Sequence, residues 1–404
     1  MSRRKLTIIK SFVVGLIIIF LYFNAKAATI GQPANQDVSM VIKLQLNKGK
    51  LNYPLSVRKF YQINTYKMSW IAPDTVKMHA LDALLLLDCV SQYGFDQTDF
   101  HPQQLVNKQL QLLTELDSKA DVAEKVSFDI LLTDAMLTLI NNLHYGKVNP
   151  NFPASKIDRE NSDELVASTW LIKAMADQDF MKTVLSVQPK SKMYKDLQDL
   201  MRLMTGQYIG DSYVVPVGRI KKVAINMERL RWLKPGLPGH ITINVPSQSL
   251  WYSSAGKVNR FPIHIELPSQ LVPMVEASLV AVWTGTLIST QQKQISAAKR
   301  LLFLGLKDDF HTYLPFGDHS HVYIERGERL AEWLLKNDGS ANKISALLKA
   351  MEAGSQQQFI LKRTLAIKII YITCELKDGI FVQYPDSYEL DKDLENALYK
   401  QTKI

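Results

Sequence analysis

RIKKVAINMERLRWLKPGLPGHITINVPSQSLWYSSAG (219–256) is the stretch in which the periodicity of the chain changes. Ile220, Val223, Met227 and Leu230 recur every three or four residues, the spacing that lines up apolar side chains on one face of a helix, and Pro235-Gly236 stops it. Beyond the stop, ITINV (241–245) and SLWYS (249–253) alternate with a period of two, as strands do, before a turn at Ala255-Gly256. Asn226, Glu228, Arg229, Arg231 and Trp232 are read as ties between this last helix and the sheet that follows.

Upstream the signal is helical from about 56 to 205. Phe128, Leu131, Leu132, Ala135, Leu139 and Leu143 define one amphipathic helix that Gly146 ends, and similar stripes run through 78–93, 103–117, 164–176 and 192–205. Residues 28–55 are polar and irregular and read as a linker. Downstream, helices are expected over 326–336, closed by Asn337-Asp338-Gly339, and over 341–352 with Ser340 as N-cap. The chain closes on a hairpin, IKIIYITCEL (367–376) and IFVQY (380–384), joined by Asp378-Gly379 as a type I′ turn. The fold class is α+β, a helical half followed by a β-rich half with a few helices. The expected boundaries are 1–27, 28–55, 56–215 and 216–404.

The 404 residues are 47% hydrophobic and 22% charged, which excludes disorder over most of the length. Two cysteines exclude a disulfide-stapled scaffold and a Cys-rich metal cluster. The net charge of +9 is concentrated at the amino terminus, where residues 1–27 hold five basic side chains and no acid. That leaves 43 basic against 39 acidic side chains, so a nucleic-acid partner is not expected. Arg3-Arg4-Lys5, the apolar run from Ser11 to Phe23 and Ala25-Lys26-Ala27 have the three-part pattern of a secretory signal peptide. The expected location is the periplasm, with a membrane contact only through this segment if it stays uncleaved. Whether Cys89 and Cys374 pair is open; Cys89, within ALDALLLLDCV, reads as a core thiol.

Several stretches resemble the large periplasmic L,D-transpeptidases of the YcbB type, which cross-link peptidoglycan. LSVRKFYQINTYKMSWIAP (55–73) is similar to the start of that family's helical scaffold, through Phe60, Tyr61 and Trp70. FDILLTDAMLTLINNLHYGKVNP (128–150) resembles its Leu-Thr-Asp…Gly-Lys-Val helix. Residues 219–250 resemble its Asn-x-Glu-Arg-x-Arg-Trp helix and Val-Asn-Ile-Pro strand, and YITCELKDGIFVQYPDSYELD (371–391) its terminal hairpin and Asp-x-Tyr-x-x-Asp close. Asp386 and Asp391 in that close read as turn caps. The resemblance implies an all-α scaffold domain followed by a YkuD-type catalytic domain.

In that family a Cys thiolate attacks a peptide carbonyl, a His sets its protonation and an Arg lies nearby. The aligned stretch is YLPFGDHSHVYIERGERLAEWLL (313–335). Ser320-His321 fit the pattern, but Tyr323 stands at the Cys position and Val322 at the Gly before it. Glu325 replaces the Arg, and Pro315 replaces the His. A phenol titrates near 10 against about 8.5 for a thiol, so only about one Tyr in a thousand is phenolate at pH 7. Losing the nucleophile of a catalytic unit costs on the order of 10⁶ in rate. The implied protein is a non-catalytic L,D-transpeptidase-like scaffold or regulator, with peptidoglycan or an envelope protein as partner and no cofactor. Tyr313, His319 and Trp251, with Tyr252 and Trp283, are candidate ligand-binding residues.

Two other arrangements compete, both giving a working peptidoglycan-modifying enzyme with a relocated site. His311, His319 and His321 form a candidate metal set for an amidase, and Ser320 beside His321 or His319 forms a candidate hydroxyl–base pair. The relatives' peptidoglycan-binding insert has no counterpart, since only about ten residues (206–215) precede the Arg-Trp helix. The capping segment between about 270 and 310 is also short.

Overall fold

The computed structural model describes residues 34–71, 76–114, 121–159, 165–206, 216–233, 240–254, 257–265, 275–284, 301–306, 310–314, 320–324, 327–355 and 357–399. Backbone alone is described for His264, Ile265 and, Val282 apart, the strand residues within 275–324. The expected signal segment lies outside the described residues, as do most of 206–215 and much of 270–310. The chain is α+β and divides into two compact units. One comprises Met1–Asp88, Gln97–Asn141 and Ala154–Ser186, the other Cys89–Asp96, Asn142–Pro153 and Val187–Ile404.

The first unit is helical: α1 (Ala34–Gln45), α2 (Pro54–Ile63), α3 (Val76–Asp88), α4 (Asn107–Thr114), α5 (Val122–Tyr145), α6 (Ala154–Arg159), α7 (Ala167–Ala176) and α8 (Phe180–Leu185). Helix α1 falls inside the segment expected to be irregular. Its signal is short, Ile42 and Leu46 buried four residues apart among polar neighbours, and tertiary burial rather than propensity selects it. Helix α5 has the length and apolarity of a membrane span, but 89% of its most apolar window is buried inside the protein, as in a core helix. Its two buried carboxylates, Asp129 and Asp134, are satisfied internally. The Asp129 carboxylate accepts from the backbone N–H groups of Ser69, Trp70 (2.7 Å) and Ile71 and from the Tyr61 hydroxyl (2.5 Å). One turn on, Thr133 Oγ1 accepts from Trp70 Nε1 at 2.9 Å. Asp134 accepts from the N–H groups of Asn52 and Tyr53 and lies 2.8 Å from His101 Nε2. Phe60, Tyr61 and Trp70 are thereby fully buried around α5.

The second unit begins with α9 (Lys192–Thr205) and α10 (Val217–Arg231). Eight strands follow: β1 (His240–Asn244), β2 (Ser249–Ser254), β3 (Lys257–Ile265), β4 (Val275–Thr284), β5 (Leu301–Leu306), β6 (Phe310–Leu314), β7 (Ser320–Ile324) and β8 (Gln357–Ile370). They close a barrel in the order β1-β2-β3-β7-β6-β5-β4-β8, antiparallel except for the β1–β8 and β4–β5 pairs. Helices α11 (Gly327–Asn337) and α12 (Ile344–Glu352) interrupt the strand run and pack Leu330, Leu334, Leu335 and Leu347 with Ile241, Ile243, Ile263 and Ile367. Ser340 does not cap α12, which begins after a short 3-10 turn; its hydroxyl donates to Asp338 instead.

The expected final strand is in fact two. β8 ends at Ile370, and β9 (Cys374–Lys377) pairs with β10 (Ile380–Gln383) in a separate ribbon. The break at 371–373 follows from asparagine side chains that replace a strand neighbour. Asn244 takes both backbone groups of Ile372 (2.8 and 2.9 Å), and Asn226 accepts from the Thr373 N–H at 2.7 Å. The turn Asp378-Gly379 has φ of 52° and 79°, as a type I′ turn requires. Helix α13 (Leu390–Leu398) closes the described chain, with Asp386 accepting from the N–H groups of Leu390 and Asp391 at its start.

Candidate functional site

Helix α10 and the residues it holds account for the motif at 226–232. Asn226, Glu228, Arg229 and Arg231 are all at most 3% exposed. Glu228 accepts from the Val148 N–H (2.8 Å) and Trp232 Nε1 (3.0 Å) and pairs with Arg231. Gly146 has φ of +88°, and a Cβ there would come within 2.5 Å of Glu228 Oε1, so the turn that ends α5 admits no side chain. Arg231 donates to Tyr93 O and Tyr194 Oη and lies 4.4 Å from the Phe95 ring centroid. Arg229 lies over the Tyr371 ring and, with Lys222, pairs with Asp391, which also accepts from the Thr373 hydroxyl. Asp386 is a cap, as expected. Asp391 is more than a cap: burial would raise its carboxyl pKa, but the Arg229 charge and the Lys222, Thr373 and Arg229 hydrogen bonds hold it below the usual range.

Cys374 closes this network. It is fully buried beside Asn226 Nδ2, and burial above all pushes its thiol up to about 12. No disulfide joins it to Cys89.

The site positions expected from the sequence fall on β6 and β7. Pro315, His319 and Glu325 lie outside the described residues. The register pairs Tyr313 with His321, His311 with Tyr323, Thr312 with Val322 and Leu314 with Ser320. Strand β3 brings His264 opposite Tyr323 and Ile263 opposite Ile324. Directly paired residues, and residues two apart in one strand, share a face. His311, Tyr313, His321, Tyr323 and His264 therefore occupy one face over three adjacent strands. Ser320, Val322 and Ile324 occupy the face of Ile263, which is in the core. Strand alternation places Ser320 and His321 on opposite faces.

Of the metal set read from sequence, His319 lies outside the described residues; the register puts His311 and His321 on one face, and His264 shares that face. Among the residues with described side chains, no group of three His, Cys, Asp or Glu is clustered for a metal. His264 escaped the sequence reading because FPIHIEL marks it only as one position of a strand; pairing across β3, β7 and β6 brings it beside Tyr323.

The aromatic candidates separate in kind. Tyr252 is core, 3% exposed, and meets the Trp333 ring edge-on at 5.0 Å, so it is not available to a ligand. Trp251 is half-buried against the cluster that includes Tyr194 and Ile370. Arg260, paired in turn with Glu375, lies 5.6 Å from its ring centroid.

Residues 55–201 match the family model described as Scaffold domain, the helical scaffold domain of YcbB-type proteins. No curated protein matches the chain.

Proposed function

We propose, from the scaffold-domain match as premise, that this is an L,D-transpeptidase-like cell-envelope protein that works without covalent catalysis. It acts as a scaffold, regulator or binding component in the periplasm, engaging peptidoglycan or an envelope protein and needing no cofactor. The observation that carries the reading is the pairing of that match with Tyr323 in the strand where the resemblance expects a cysteine. A phenol forms an acyl ester with a good leaving group, so an acyl-enzyme would not accumulate there. Cys374, a thiol of the barrel unit, is buried with a raised pKa. The test is incubation with purified muropeptides, following cross-linked and trimmed products and the intact protein mass. No turnover and no adduct are expected, and a carbapenem should leave the chain unlabelled. Turnover abolished by Tyr323→Phe, or a stem-peptide adduct on any side chain, would overturn the proposal.

The row of His264, His311 and His321 favours a second reading, metal-assisted amide hydrolysis on the barrel. Metal analysis separates the two. Stoichiometric zinc in the purified protein, lost in His264→Ala and His321→Ala, together with muropeptide cleavage, would favour the hydrolase.

A further inference from the structure

Between Val38 and Pro73 the sequence carries six basic side chains, Lys43, Lys48, Lys50, Arg58, Lys59 and Lys67, and no acid; the flanking acids are Asp37 and Asp74. Such a run stands apart from the near-balance of charge over 28–404. The fold brings much of it to one surface of the helical unit. On α1, Ile42 and Leu46 are buried, and the opposite arc presents Met40, Lys43, Leu44, Asn47 and Lys48, all exposed and related by steps of three and four. Met40 is 64% exposed and Leu44 49%.

Helix α2 and the turn after it lie beside this arc. Arg58 donates to Asn47 Oδ1 at 2.9 Å, and Lys43 lies 4.5 Å from the Tyr66 ring centroid, so both cations meet neutral partners there. Lys67, next to Tyr66, and Lys50, just beyond α1, are exposed as well. The start of α5, beside Asp121 and Glu124, meets the inner arc instead, where Gln45 Nε2 donates to Ala123 O at 2.8 Å. Single exposed apolar side chains are ordinary on protein surfaces. Methionine and leucine one turn apart, set among lysines in an acid-free run, make a face that suits an anionic bilayer: the apolar chains enter the headgroup boundary while the ammonium groups stay among phosphates. The sequence upstream supports the same occupant. Ten residues separate the apolar run Ser11–Phe23 from Ala34, a reach of at most about 35 Å, so a chain that keeps the run holds α1 close to a bilayer.

We propose that the outer face of α1, with Arg58 and Lys67 beside it, docks the helical unit on an anionic lipid surface, Met40 and Leu44 entering the headgroup layer and the cations meeting lipid phosphates. This adds a lipid contact to the envelope role proposed above, and it stands on the helical unit alone.

The experiment is hydroxyl-radical footprinting of the full chain, read by peptide mass spectrometry, on vesicles of phosphatidylcholine alone or of equimolar phosphatidylcholine and phosphatidylglycerol. Labelling of Met40 and Leu44 should fall several-fold on the anionic vesicles and much less on the neutral ones, and added salt should restore it. Ile380, 69% exposed on the β9–β10 ribbon, is the reference and should keep its labelling. Because the readout is local, tethering by the run at 11–23 on both kinds of vesicle does not mask it. Lys43→Gln with Lys48→Gln should lower the ratio of protected to unprotected Met40 on the order of 25-fold, about fivefold per cation. Leu44→Glu should abolish the protection of Met40. Equal protection on neutral and anionic vesicles, protection of Ile380 equal to that of Met40, or protection unchanged in the double lysine variant overturns the proposal. Protection by isolated peptidoglycan and not by vesicles also overturns it and assigns the face to the wall.

Discussion

Asp129 in the helical unit and Asp391 in the barrel unit are both aspartates removed from water, and they are held by opposite means. Asp129 is fully buried and receives only neutral donors, three backbone N–H groups and the Tyr61 hydroxyl. Desolvation wins over those hydrogen bonds, and its carboxyl pKa is raised. Asp391 keeps 8% of its surface and meets two cations, Arg229 and Lys222, and its pKa is lowered. The contrast separates what each acid does. Asp129 gathers the loop at 69–71 onto α5 by supplying acceptors, so its geometry matters more than its charge. Asp391 neutralises cations that α10 carries into the interior, so its charge is the essential property.

The largest effect should follow from breaking the charged pair. Arg229→Met leaves Asp391 without its buried partner and should cost about 3–5 kcal/mol, read as loss of the barrel unit's transition in chemical denaturation. Arg229→Met with Asp391→Leu should recover much of this, which a double-mutant cycle would measure.

In the helical unit, Asp129→Ala strands up to four donors and should cost about 1–3 kcal/mol. Asp129→Asn keeps an acceptor and should cost less. Equal losses would mean that the charge, not the acceptor geometry, holds the loop.

Gly146→Ala should cost about 1–3 kcal/mol through its positive φ and the clash with Glu228, with lowered unfolding temperature as the readout. An unchanged temperature would show that the turn can re-form with a side chain.

The smallest effect is the most diagnostic, on the order of 1 kcal/mol per unit of pKa difference. For Asp391, whose folded pKa is depressed, the stabilising contribution is present above the unfolded value and is lost as pH falls through the folded one. For Asp129, whose folded pKa is raised, the contribution is full at low pH and lost as pH rises through the folded value. As pH falls from neutrality toward about 4, the stability gap between wild type and Asp129→Asn should widen, and below about 4 the gap between wild type and Asp391→Asn should shrink. Parallel movement of the two gaps would mean that one of the two directions is wrong.

Local chemistry explains which elements were legible. The long stripe of α5, the stop of α10 and the Asp378-Gly379 turn depend on side-chain periodicity or on φ preferences of single residues, and they form where the sequence indicates. Helix α1 was missed because its buried contacts, Ile42 and Leu46, are few and the selection comes from packing. The strand at 367–376 was read as one because nothing in its own sequence announces that Asn226 and Asn244, more than 120 residues upstream, take over its backbone hydrogen bonds. The candidate site divides in the same way. That Tyr323 stands where the resemblance expects a cysteine is visible in one line of sequence, whereas the strand positions paired with Tyr323 are not.

By itself the sequence determined the α+β order, the helical stretch from about 56 to 205 and the absence of a thiol where the resemblance needs one, because periodicity and residue identity are local properties. Only the tertiary structure decided that the polar motif of α10 is an interior charge network and that His264 shares a face with His311 and His321. Each of these depends on residues far apart in the chain being brought into register, and burial then sets whether a polar group is solvated, paired or left without a partner.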